Sequence, residues 1–115
     1  MLKYEVKTKW LKALRSNQYK QGFECLRTRS GTFCCLGVLC DTVHPTNWEI
    51  IRNKAIDIHP FYMFGYKGES DGFLVPKTIR EEIGLDLSEM RKLSDMNDSG
   101  RKNFKAIALY IEKYL

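Results

Sequence analysis

Phe33-Cys34-Cys35-Leu36-Gly37-Val38-Leu39-Cys40-Asp41 is the longest nearly unbroken apolar run in the chain and holds three of its four cysteines. A run of this length serves equally well as a buried strand or a buried helix, so its flanks have to decide. Upstream, residues 23–29 alternate as a strand does, and Ser30-Gly31 can turn the chain back into a second strand beginning at Thr32. Downstream, Pro45 ends any helix that reaches it. The run therefore divides: residues 32–35 close a hairpin, and residues 36–43 continue as a buried helix, the central element of the core. Gly37 within that helix costs roughly 1 kcal/mol relative to Ala, which points to a close backbone neighbour. Arg27 and Arg29 fall on one face of the hairpin's first arm.

Working outward, residues 6–16 read as a first helix. Val6, Trp10, Ala13 and Leu14 recur at three and four residues, while Lys7, Lys9, Lys12 and Arg15 fall on the back. Residues 18–22 read as a loop between Asn17 and Gly22. Beyond Pro45, residues 48–51 and 61–66 carry the aromatic and β-branched enrichment of short strands, and residues 67–72 read as a mobile loop. Pro76 at a first helical position, Ile79 and Ile83 on one face and Gly84 just past the end describe a short helix. Ser88 is the expected cap of the next, with Met90, Leu93 and Met96 or Asn97 inward. Asn103 then caps a last helix carrying Phe104, Ile107, Ala108, Ile111 and Leu115. The expected fold is α+β: one domain over residues 1–115, a short antiparallel hairpin or sheet packed against about five short helices.

At 115 residues the chain suffices for one core and is short for two. Its 43% apolar and 29% charged residues are those of a folded soluble domain, and no stretch approaches a membrane span. The charged N-terminus lacks the apolar centre of a secretory signal, so a cytoplasmic location is expected. The adjacent pair Cys34-Cys35 suits disulfides poorly, and four free thiols are expected. Net charge is +5, and all of the excess lies early: residues 1–30 hold eight Lys or Arg against two Glu, while residues 31–115 hold eleven against twelve acidic residues. Such a basic quarter is either a footprint for an anionic partner or a solvated helix face.

Four constellations could carry chemistry. Cys25, Cys34, Cys35, Cys40 and His44 contain the donors of a zinc site, but no C-x2-C pair exists and buried cysteine usually behaves as a small hydrophobe. A cysteine nucleophile would need His44 or His59 as base and an exposed electropositive setting, which an apolar run does not offer. No catalytic residue, metal or cofactor is therefore expected. Tyr19, Lys20, Gln21, Arg27, Asp41, Asn97 and Asp98 form a third group, of types that make oriented hydrogen bonds at element ends. For three of them the plainer reading is internal satisfaction, with Asp41 bonding Arg27 or a loop amide and Asn97-Asp98 forming a turn. Otherwise Lys20, Gln21 and Arg27 would meet an anionic ligand. Finally, Lys3, Lys7, Lys9, Lys12, Arg15, Lys20, Arg27 and Arg29, interleaved with Tyr4, Trp10 and Tyr19, could follow a phosphate backbone. Trp10, however, lies on the apolar face and reads as core, and no nucleic-acid-binding signature is present.

Several stretches together resemble a family of small uncharacterised bacteriophage and prophage proteins. They are Trp10-Leu11-Lys12-Ala13-Leu14-Arg15-Ser16, Tyr19-Lys20-Gln21-Gly22, Leu26-Arg27, Cys34-Cys35-Leu36-Gly37-Val38-Leu39-Cys40-Asp41, Val75-Pro76, Met96-Asn97-Asp98 through Gly100 to Phe104-Lys105-Ala106-Ile107-Ala108, and Ile111-Glu112. One departure is visible: the family tends to place a hydroxyl residue at the last helix's cap with Glu three residues on, where this chain has Asn103 and Ala106. The cap is kept and the reciprocal bond is lost. The resemblance implies a phage-type accessory protein, the class that binds host functions, including antiviral defence, more often than it catalyses. The expectation is a non-enzymatic protein that binds and inhibits a host protein with an acidic surface. Its contact residues would be Lys9, Lys12, Arg15, Tyr19, Lys20, Gln21, Arg27 and Asp41. The alternatives are a nucleic-acid or nucleotide-signal binding module and, third, a small cysteine-dependent enzyme. No membrane partner is expected.

Overall fold

In a computed structural model that describes residues 1–50 and 61–115, the apolar run divides close to the expected point. Thr32–Phe33 is a strand (β2), Cys34 is an N-cap, and Cys35–Val43 is a helix (α2) whose residues 35–40 are all buried. The helix can lie at the centre because Gly37 lets it approach the neighbouring chain. A Cβ at Gly37 would fall on the carbonyl oxygen of Leu26. The intrinsic cost of glycine in the helix is offset by that close packing.

With α2, three of the other helices close a ring. α1 (Tyr4–Leu14) packs against both α2 and α5 (Phe104–Tyr114), and α4 (Leu87–Asn97) packs against α2 and α5 in turn. The face of α1 that the periodicity picks out is the one that packs: Trp10 and Leu14 are buried, and the Trp10 indole N–H donates to the Cys35 carbonyl at 3.0 Å. α3 (Lys77–Ile83) ends at Gly84 with a left-handed φ of 82°. There the N-terminal strap is fastened, since Lys3 N–H donates to the Ile83 carbonyl at 2.8 Å and Leu2 is buried.

A three-stranded antiparallel sheet in the order β3-β4-β5 lies beside this ring, formed by Trp48–Glu49, Met63–Tyr66 and Glu69–Asp71. Ile51, at the end of the expected strand 48–51, lies outside the described residues. Five helices and two small sheets among the described residues make the fold a small α+β domain, and none of those helices is long and apolar enough to cross a membrane.

Several local expectations are corrected. Residues 18–22 are not wholly loop: Lys20–Gln21 (β1) pairs with β2, in parallel, with Lys20 beside Thr32 and Gln21 beside Phe33. Residues 23–29 are not a strand, because Glu24 takes a positive φ of 70° and its N–H donates to Asp98; only Arg27 and Thr28 make isolated bridges, to Phe33 and Phe61. The expected loop at 67–72 is a turn and a strand. Lys67 and Gly68 both have positive φ, as a two-residue hairpin turn requires, and β5 follows at once. Pro76 is the N-cap of α3 rather than its first residue, and Asp86, not Ser88, caps α4. Asp86 accepts from Glu89 N–H while the Glu89 carboxylate accepts from Asp86 N–H, a complete capping box. Asn103 caps α5 as expected.

Candidate functional site

The cysteines can be placed first. All four are free and buried, and Cys35 and Cys40 have no solvent exposure. Burial raises every one of these thiols: Cys34 is pushed up to about 12, and Cys35 and Cys40 go well above the ordinary range. The Cys25 thiol is raised too, by burial and then by the Asp98 and Glu24 carboxylates. A protonated, enclosed thiol is a poor nucleophile and a poor metal ligand. Among the described residues no three His, Cys, Asp or Glu gather around a possible metal position. His44 stacks on Tyr66 with ring centroids 4.5 Å apart. His59, the other base weighed for cysteine chemistry, lies outside the described residues.

The oriented polar residues separate into two internal networks. Asn97, fully buried at the end of α4, accepts from Cys35 N–H and Gln21 Nε2 and donates to the Gly22 carbonyl and to Asp98 Oδ1. Gln21 also donates to the Lys102 carbonyl at 2.8 Å. One side chain thus ties β1, the start of α2 and the α4–α5 connection together. The sequence offered Asn97 both as an inward residue beside Met90 and Leu93 and as part of a turn with Asp98; the inward placement is the one the structure has, and its partners lie too far along the chain to be read from spacing.

The second network belongs to Asp41. Its carboxylate accepts from the Tyr19 hydroxyl and, at 2.9 Å, from the Trp48 indole N–H; among the described residues it takes no hydrogen bond from Arg27 or a loop amide, the partners expected. Burial first, and then the hydrogen bond to Asp41, raise Tyr19 to about 12. Gln21, Tyr19 and Asp41 are thus engaged in hydrogen bonds within the fold, while each keeps partial exposure.

What remains for a partner is cationic. Lys9 and Lys12 project from α1, exposed and with no hydrogen bond or ion pair among the described residues. They border a cleft of about 300 Å³ that also takes in Ala13, Ser16, Gln18, Tyr19 and Thr42. Arg15 instead pairs with Glu112 of α5 at 3.2 Å, and Lys7 Nζ donates to the Glu112 carbonyl. These two cations pin α1 to α5. Lys20 is exposed at the edge of β1.

Arg27 is half-buried among three rings, with its guanidinium carbon 4.3 Å from the Tyr62 centroid, 5.1 Å from Phe33 and 5.5 Å from Trp48. Arg29 lies over the same Tyr62 ring at 5.3 Å. The expected common face of these two arginines is present, although no hairpin arm carries it. Nothing in the sequence singled out Tyr62 as the shared ring, because the contact joins segments more than thirty residues apart.

The comparisons with known proteins follow from no single feature of this site. The family model described as "Domain of unknown function (DUF8296)" matches residues 2–115, and the chain belongs to that family. No curated protein and no solved structure matches.

Proposed function

We propose that this chain acts by binding rather than by catalysis, as a phage-type accessory protein that engages and restrains a host protein, such as an antiviral defence factor, through an acidic surface of that partner. The observation that carries the reading is the pair Lys9 and Lys12. They stand exposed on α1 without a carboxylate partner among the described residues, while the neighbouring Arg15 and Lys7 are engaged by Glu112. Unpaired surface lysines on a rigid helix steer an acidic partner at long range and lose little side-chain freedom to internal contacts. The burial of all four thiols argues against a cysteine nucleophile. The phage resemblance of the CCLGVLCD and YKQG stretches supplies the host setting.

The test is affinity capture from host lysate at low salt, using the parent chain and a Lys9→Glu/Lys12→Glu variant of unchanged far-UV circular dichroism. The reading expects an acidic host protein that binds the parent with a saturable isotherm, dissociates as salt rises, and is lost on charge reversal. Equal retention by the two proteins removes α1 as the contact surface.

A further inference from the structure

Lys9 borders two clefts, and what they share defines a longer feature. Toward the N-terminal end of α1 it lines a cleft of about 490 Å³ with Lys3, Val6, Val43 and Ile83. Toward the other end it lines the cleft of about 300 Å³ with Lys12, Ala13, Ser16 and Tyr19. Thr42, in the last turn of α2, also borders both. On α1 the wall is Val6, Lys9 and Ala13, which share one helix face by their spacing, and Ser16 in the turn beyond continues it. The two clefts are therefore one groove along the α1–α2 seam. From residue 6 to residue 16 it runs roughly 15 Å, the reach of about four or five residues of extended chain.

The ends of the groove differ in chemistry. The Val6 end is apolar underneath, since Val6 and Val43 are half-buried against the core and Ile83 is buried. Its two carboxylates are Glu82, which is held by Lys67 and Tyr66, and Glu5, which forms no ion pair with Lys9. At the other end no carboxylate lines the groove among the described residues, and the side chains of Lys9 and Lys12 make no hydrogen bond or ion pair there. Asp41, which Tyr19 reaches, already accepts from that hydroxyl and from the Trp48 indole. Projecting lysines alone suffice to meet a flat acidic surface. A groove that is cationic at one end and apolar at the other suits a narrower ligand, a chain segment that inserts side chains into it.

Resting on the reading of Lys9 and Lys12 as a partner contact, we infer that the partner enters this groove with a short linear segment. Its Asp or Glu side chains lie against Lys9 and Lys12, and a neighbouring aliphatic or aromatic side chain sits among Val6, Val43 and Ile83. Charge steers the segment and sets its direction along the seam. Burial of the apolar side chain supplies the specificity that charge alone lacks.

Selection from a phage-displayed library of random peptides about twelve residues long, on the intact chain at low salt, tests this. Enriched sequences should carry Asp or Glu within a few residues of Leu, Ile or Phe. A synthetic peptide of the enriched sequence should bind saturably, and its affinity should fall about tenfold or more in Lys9→Glu/Lys12→Glu and also in Ala13→Trp, whose indole fills the groove without changing charge. Each variant is first matched to the parent by thermal melt. A readout that needs no variant is the amide spectrum of the isotope-labelled parent, in which Val6, Lys9, Thr42 and Val43 should shift as the peptide is added. The inference is overturned if no sequence is enriched over an unrelated bait, if the shifts map elsewhere, or if folded Ala13→Trp binds the peptide as the parent does. It is equally overturned if a labelled oligothymidylate, and no peptide, shifts these residues, which would give the groove to nucleic acid. Its failure and that of the broader reading are distinguishable. A host protein captured by the parent and by Ala13→Trp, but not by Lys9→Glu/Lys12→Glu, leaves the lysine contact standing and removes the groove, whereas capture that charge reversal does not change removes both.

Discussion

Cys35 and Cys40 sit in α2 with no solvent contact, and burial keeps them protonated far above the pH at which a free thiol ionises. In the native protein all four cysteines should resist iodoacetamide at neutral pH and react once urea unfolds the chain; mass spectrometry of the modified protein reads this directly. The same burial makes stability depend on pH in a definite direction. In the unfolded chain these thiols lose their protons near 9, whereas Cys34 in the folded chain keeps its proton to about 12. Tyr19 behaves alike, from 10 to about 12. The unfolded state then binds fewer protons than the native one, so stability, fully present below about pH 9, falls as pH rises through the interval to about 12. Urea midpoints should be lower at about pH 10 than at about pH 8, and equal midpoints would mean that the thiols are not enclosed.

Asn97 allows the sharper prediction at this scale, because its amide meets four partners in a place water does not reach. Asn97→Ala leaves the Cys35 N–H and the Gly22 carbonyl unsatisfied and should cost about 2–4 kcal/mol. Asn97→Asp keeps an acceptor for Cys35 but presents a carboxylate to the Gly22 carbonyl and to Asp98, and should be destabilised as well. Chemical denaturation of both variants checks this; a loss under about 1 kcal/mol in each would show the network to be dispensable.

At the scale of elements, Gly37 separates propensity from packing. On helix propensity alone Gly37→Ala stabilises α2 by roughly 1 kcal/mol. The Leu26 carbonyl occupies the position of the new methyl, and backbone cannot swing aside as a side chain can. The net effect should be a loss of about 1–3 kcal/mol, seen as a lower urea midpoint. This close neighbour was legible in the sequence, since a glycine in an otherwise strongly apolar helix has few other reasons to be there. The helices were legible for a related reason: α1, α4 and α5 carry their inward residues at helical spacing, and spacing is a local property.

The segment 23–29 was not legible, because its alternation is local while the bend at Glu24 comes from Asp98, some seventy residues away. β5 was hidden because Glu69, Ser70 and Asp71 lack strand propensity, and their pairing follows from the Lys67-Gly68 turn. The Asp86 cap was within reach, as Asp86 and Glu89 have capping-box spacing; Ser88 drew attention from it. For the candidate site, the lysines of α1 were readable from the back of an amphipathic helix. That Asp41 bonds within the fold was readable but its partners Tyr19 and Trp48 were not, and nor was the engagement of Gln21, since each partner lies across the fold.

For the molecule as a whole, the question is whether the helical ring and the three-stranded sheet unfold together. The two tryptophans happen to stand one in each part, Trp10 at the α1–α2 contact and Trp48 on β3. Trp48 is also the joint: its indole N–H donates to Asp41 of α2, and its ring meets Phe33 of β2 at 6.0 Å and Phe64 of β4 at 4.8 Å, both edge-on. A sheet with nine strand residues among those described has little independent stability, so it should persist only while this joint holds and melt with the helices. Trp48→Phe leaves Trp10 as the sole indole and Trp10→Phe leaves Trp48. In each variant the fluorescence transition should coincide with that of far-UV circular dichroism, at one urea midpoint. Loss of the indole bond to Asp41 should lower that midpoint by the equivalent of about 1–3 kcal/mol, for both probes together. If Trp48 reports an earlier transition than the helices in the Trp10→Phe protein, the sheet is a separately melting unit.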